Sequence, residues 1–168
     1  MNRRELLTMA ATSSWLSGCT AAVKGAESFG MPGIGIVVEE SLAPGAAVKE
    51  GIQGISDTGR QMFASARLNS RNSSTSSYGA ATIPRWVRVT WREGTTPGER
   101  WTTGQVIGDY TVPVLERIPK EAFELAKSGR KQPLVLRFRI RDDGVDFGWM
   151  VRLQDGAPFK VLMRGGDF

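Results

Sequence analysis

Histidine is absent from all 168 residues, and cysteine occurs once, at Cys19. Without histidine the chain lacks the commonest general base and metal ligand, and with them every Ser-His-Asp or Cys-His catalytic arrangement. One thiol cannot close an internal disulfide, so stability must come from packing. No Gly-x-Ser-x-Gly elbow is present, and no glycine-rich phosphate loop leads into Lys-Ser or Lys-Thr. Ser128-Gly129-Arg130-Lys131 matches a bare Ser-x-x-Lys, but it stands where a helix end calls for Ser, Gly and Lys as caps. Asp142, Asp143 and Asp146 crowd a turn without the alternating oxygen ligands and distal glutamate of a calcium loop. These exclusions leave no catalytic residue, no metal site and no cofactor. The chain is expected not to be an enzyme.

What is there begins with an export signal. Met1-Asn2-Arg3-Arg4 is basic, Leu6 to Trp15 is a short apolar stretch, and Leu16-Ser17-Gly18-Cys19 closes it with small residues. That is the layout of a secretory signal, too short to span a bilayer as a helix. Leu-Ser-Gly-Cys resembles the lipobox of bacterial lipoproteins, and the only cysteine stands at the position it requires. The resemblance implies that residues 1–18 are removed, that Cys19 is acylated, and that no free thiol survives. Asn2-Arg3-Arg4-Glu5-Leu6-Leu7 also resembles a twin-arginine signal, although a general secretory signal with two adjacent arginines is the favoured reading in a chain with no visible cofactor site. By resemblance to Gram-negative lipoproteins, Thr20 after the lipidated cysteine implies the periplasmic side of the outer membrane. Residues 19–45, rich in Gly and Ala and broken by Pro32 and Pro44, are expected to form the lipidated N-terminus and tether. The remainder, 46–168, is expected to be one β-rich domain.

The chain carries a net charge of +5; removing Arg3, Arg4 and Glu5 with the signal leaves 20 basic and 16 acidic residues, or +4. Arginines concentrate in the second half, from Arg85 to Arg152. Nucleic acid does not fit an exported protein with no stacking platform, so an acidic protein or anionic lipid is the expected partner. At least half of these arginines read as solvated strand faces.

A hydrophobic fraction of 40% with five Trp and seven Phe supports a packed core. Ile34 to Val38, Val48 to Ile55 and Gln61 to Arg67 read as short strands, followed by an exposed low-complexity loop from Asn69 to Gly79. Arg85 to Arg92 alternates, with Val87, Val89 and Trp91 on one face and Trp86, Arg88 and Thr90 on the other. Gln105 to Leu115 is a strand whose Gly108 and Pro113 suggest a bulge or an edge. Pro119 opens a short helix with Ala122, Phe123 and Ala126 on one stripe. Leu134, Leu136, Phe138 and Ile140 point inward, with Val135, Arg137, Arg139 and Arg141 outward. Asp142-Asp143-Gly144, residues that tolerate the positive φ of a tight turn, then turns the chain into a hairpin with Val145 to Leu153, and Phe159 to Met163 forms a last strand. The expected class is mainly β (α+β): an antiparallel sheet or β-sandwich of about six to eight strands with one short helix near 119–128.

Three blocks carry a further resemblance: Pro84 to Arg92; Gly108 to Val112 with Arg117-Ile118-Pro119; and Leu136 to Val145 ending at Gly148-Trp149. In this order behind a lipobox they resemble small proteobacterial lipoproteins that act as immunity proteins to phospholipase effectors of type VI secretion. The resemblance covers 84–149 and brings no catalytic residue with it. It implies a periplasm-facing lipoprotein that binds and neutralises a toxic lipase-type effector. A non-catalytic structural or assembly lipoprotein of the outer membrane is the alternative, ahead of a small-ligand binder. Candidate partner-binding residues are Asn69, Arg71, Asn72 and Tyr78 in the polar loop, Arg100 and Trp101 in a turn-flanked segment, and Arg137, Arg139 and Arg141 on the outward face of their strand.

Overall fold

The computed structural model describes residues 34–80, 82–94, 103–129, 131–155 and 158–168. Among these run β1 (Gly35–Leu42), β2 (Lys49–Ser56), β3 (Gln61–Leu68), β4 (Ser74–Ala80), β5 (Trp86–Glu93) and β6 (Gln105–Pro113). A single 3-10 turn (Leu115–Arg117), α1 (Lys120–Lys127), β7 (Leu134–Ile140), β8 (Val145–Leu153) and β9 (Lys160–Gly166) follow. The strands form a five-stranded sheet, β4-β1-β7-β8-β9, and a four-stranded sheet, β3-β2-β5-β6. All neighbours are antiparallel except β1 and β7, which run parallel with Ile36 beside Leu134. The chain is therefore mainly β, with nine strands among the described residues.

The core lies between the sheets because each strand contributes alternate side chains to it. Val87, Val89 and Trp91 of β5 face Leu134, Leu136, Phe138 and Ile140 of β7, and all are buried. Phe138 touches Phe63 of the other sheet at 5.0 Å between ring centroids and its strand neighbour Phe147 at 5.4 Å. Large rings are accommodated by glycines directly across the ladder: Gly54 faces Phe63, Gly108 faces Trp91 and Gly165 faces Trp149. A Cβ at Gly108 would meet the Trp91 indole at 2.0 Å, so this position must be glycine for the ring to lie flat. Ala122, Phe123 and Ala126 of α1 join the same core, as their stripe requires. Pro119 sits one residue earlier than expected, as the N-cap.

Four sequence expectations need correction. The strand β1 lies inside the stretch assigned to the tether, so the domain includes residues from Ile34 onward rather than starting at 46. The polar stretch after Asn69 is not all loop: Ser74–Ala80 pairs with β1 as an edge strand. An edge strand needs a partner on one side only, so it tolerates a serine-rich sequence with little apolar signal. Val135 is buried although it stands on the outer face of β7. The β7–β8 turn also forms without a positive φ at Asp142, Asp143 or Gly144. Asp142 is instead fixed by the Lys49 ammonium, which it pairs with, and by the Ala47 N–H, which donates to it.

One buried group opposes the apolar pattern. Glu40 points inward from β1 and is closed off from solvent. It accepts hydrogen bonds from Ser65 of β3 and Ser74 of β4, and its Oε2 has no hydrogen-bond partner among the described residues. Burial pushes its carboxyl above the usual range, outweighing the lowering by the two serines. A raised folded pKa contributes stability that is complete below the unfolded value and is lost as pH rises through the folded value. Asp109, Asp142 and Asp167 are held low by Arg88, Lys49 and Arg117 and act oppositely, losing stability as pH falls through their folded values. Denaturant unfolding of wild type and Glu40→Gln across a pH series is expected to show the wild type losing ground to the variant as pH rises from mildly acidic to alkaline. A difference independent of pH would mean that Glu40 stays in one protonation state throughout.

Candidate partner interface

The sequence-derived contact residues do not converge. Cys19, Arg100 and Trp101 lie outside the described residues. Asn69 and Asn72 spend their side chains on their own turn: the Asn69 N–H donates to Asn72 Oδ1 at 2.7 Å, and the Arg71 N–H donates to Asn69 Oδ1 at 2.8 Å. Tyr78 is half-buried, its hydroxyl donating to the Met62 carbonyl and its ring lying under the Arg60 guanidinium. It ties the edge strand β4 to β3, whereas Arg71 alone of this group is free to project.

Arg137 and Arg139 stand on the outer face of the five-stranded sheet, as the alternation requires. Their guanidinium groups lie 4.7 and 3.7 Å from the centroid of the Phe168 ring. Arg137 also meets Glu39, at 3.4 Å. Arg141 is engaged by Asp143 at 3.2 Å and Asp146 at 3.3 Å. These arginines are thus already paired within the fold, which lowers what a partner would gain from them.

The four-stranded sheet presents a different outer surface. Trp86, Arg88, Thr90 and Arg92 alternate outward along β5, the solvent-side half of the same period that buries Val87, Val89 and Trp91. With Gln53 and Ile55 of β2, Asp57 beyond it, and Val106 and Asp109 of β6, they line an open groove of about 540 Å³. Trp86 remains 38% exposed, and Val106 40%. Exposed apolar residues singly are ordinary, but here they share one concave face with fixed charges.

The charges are arranged in cross-strand fashion. Arg88 grips Asp109 with two bonds, Nε to Oδ1 at 2.7 Å and Nη2 to Oδ2 at 2.5 Å. That bidentate contact holds the Asp109 carboxyl below its usual range and raises the Arg88 guanidinium. Arg92 donates to the Gly104 carbonyl at 2.9 Å, which leaves its Nε without a partner among the described residues. Asp57 Oδ1 is likewise unpaired among them. The groove therefore offers an indole face and aliphatic flanks, with the four ionic groups balancing to zero and the unpaired Arg92 Nε and Asp57 Oδ1 closed off from solvent. Such a surface is chemically suited to a shaped protein segment more than to a bare ion. Among the described residues no three of Cys, Asp and Glu converge to hold a metal ion.

Sequence reasoning passed over this face although its signal was present. Trp86 falls in the polar half of an alternating strand, where a tryptophan has no packing reason to be. Compared with protein-family models, curated proteins and solved structures, the chain matches none of them.

Proposed function

We propose that this chain is a lipid-anchored binding protein of the bacterial envelope that captures a lipase-type effector and neutralises it without chemistry. The lipobox resemblance at Cys19 and the immunity-protein resemblance across 84–149 motivate the reading. The observation that best supports it is the outer face of β3-β2-β5-β6, which no described residue covers. There Trp86, of a residue type that most often anchors protein interfaces, stands beside the Arg88–Asp109 pair over an open groove. A toxin that attacks periplasm-facing phospholipid would meet an anchored inhibitor at the surface where it works, and anchoring raises the inhibitor's local concentration. A stable inhibitory complex needs roughly 1,200–2,000 Å² of buried surface, more than the groove alone. Flanking side chains such as the exposed Ile107 at the β6 bulge would extend the contact.

The test is to look for a lipase-like reading frame beside the gene and to express its product in the periplasm with and without this protein. Survival only in its presence, with a complex isolable from detergent extracts, is the expected result. Cys19→Ser should abolish palmitate labelling and weaken protection while leaving binding in solution unchanged. Equal killing with and without the protein, and no complex, would overturn the immunity reading in favour of a structural or assembly lipoprotein of the outer membrane.

A further inference from the structure

The five-stranded sheet has two chemically unlike ends. Because β1 and β7 run parallel and β8 and β9 run antiparallel to their neighbours, the starts of β1, β7 and β9 and the finish of β8 share one end. Ile34, the first described residue, lies at that end. Contacts there are continuous from β1 across to β9. Gly35 sits beside Pro133, the Pro133 carbonyl accepts from the Arg152 N–H at 3.4 Å, and the Arg152 guanidinium lies 4.5 Å from the centre of the Phe159 ring. Three strand spacings put β9 about 14 Å from β1.

At this end two large apolar side chains are left in solvent: Phe159 is 52% exposed and Val161 is 45% exposed. Cations surround them. Arg152 shares Glu39 with Arg137, and Lys131 pairs with Asp155 at 3.0 Å. Lys160, between Phe159 and Val161, and Arg164, further along β9 and opposite Met150, are exposed and make no ion pair among the described residues. The opposite end of the sheet instead carries Asp142, Asp143 and Asp146. An aromatic and a branched aliphatic residue on an edge strand whose two cations, Lys160 and Arg164, are uncompensated among the described residues match the boundary of an anionic bilayer, where rings seat among headgroups and cations meet phosphate. A protein partner would find the groove on the other sheet balanced in charge; this end is not.

We infer that the β9 edge, from Phe159, Lys160 and Val161 at this end along to Arg164 opposite Met150, is a docking surface for anionic phospholipid bilayers. Its Phe159 end is the end of the sheet at which the described chain begins, at Ile34. The orientation in the cell rests on the anchored reading; the vesicle affinity does not. Docked this way, the domain would present its acidic end away from the bilayer and keep the β3-β2-β5-β6 groove open to a partner approaching along the membrane.

The full chain carrying Cys19→Ser has no thiol, so a single cysteine can be placed and labelled with an environment-sensitive nitrobenzoxadiazole dye. A label at Val161→Cys should shift to the blue and brighten severalfold on vesicles of phosphatidylglycerol and phosphatidylcholine. It should not respond to phosphatidylcholine alone, and the response should fade in high salt. A label at Asp143→Cys, at the opposite end, should stay aqueous with both. Lys160→Gln with Arg164→Gln should lower apparent affinity about 25-fold, about fivefold for each cation removed. A Val161 label that stays aqueous on anionic vesicles, an equal shift at Asp143, or equal binding to neutral vesicles would overturn the inference. Capture of the lipase by the same Cys19→Ser proteins in solution reports separately on the inhibitor reading, so the two can fail independently.

Discussion

Phe138→Ala is expected to lower the free energy of unfolding by about 3–5 kcal/mol, the range for removing a large aromatic side chain from a packed core. Phe138 has no solvent exposure and sits where the two sheets meet, against Phe63 from one and Phe147 from its own. Neither neighbour can close the gap readily. Phe63 is folded over Gly54, where even a Cβ would lie 2.3 Å from its ring, and Phe147 is held by the Arg117 guanidinium. A domain of this size has only about 5–15 kcal/mol in total, so the variant should unfold at far lower urea, if it accumulates at all. Arg139→Ala, one residue along the same strand, removes an outward side chain stacked on Phe168 and should cost about 0.5–1 kcal/mol. A reversal of that order would place the strand one residue out of register, since a single step exchanges the two faces.

The second large effect concerns capture. Trp86→Ala should weaken the complex with the lipase-type effector by about thirtyfold, the loss typical of a single hot spot. Thermal stability should scarcely change, because the indole stands on the uncovered face rather than in the core. Arg88→Ala should act more on association than on dissociation and should reduce its salt dependence, as expected for an exposed charge already held by Asp109. Asn72→Ala and Arg141→Ala should leave capture unaltered, since both side chains are occupied within the fold. Titration calorimetry on the isolated complex reads the first effect, and stopped-flow mixing at several salt concentrations reads the second. Full affinity in Trp86→Ala with loss in Arg137→Ala would move the interface to the five-stranded sheet.

Much of this architecture is written locally. Strict alternation in 85–92 and 134–140 marks β5 and β7 and assigns their inner faces. The Ala122, Phe123 and Ala126 stripe marks the helix, and the Asp-Gly pair marks the hairpin position. Weakly patterned elements are less legible. Ser74–Ala80 has little apolar content because an edge strand next to β1 needs none, and its one large residue, Tyr78, serves to tie β4 to β3. Glu40 breaks the inward period of β1, and nothing nearby in the chain announces the serines that receive it from β3 and β4.

By itself the sequence determined the class of fold, the inward half of each well-patterned strand, and the exclusion of histidine-based chemistry, because these depend on composition and on side-chain period alone. Neighbourhood was decided only in three dimensions. A period of two states which side chains share a face but not which strand lies beside it, so the parallel pairing of β1 with β7 could not be read off. The same holds for the occupation of Arg137, Arg139 and Arg141 by Phe168, Asp143 and Asp146. It holds too for the gathering of Trp86, Ile55 and Val106 over one groove. Whether an outward residue is already partnered or is left to meet another molecule depends on chain segments far away in sequence, and packing brings those together.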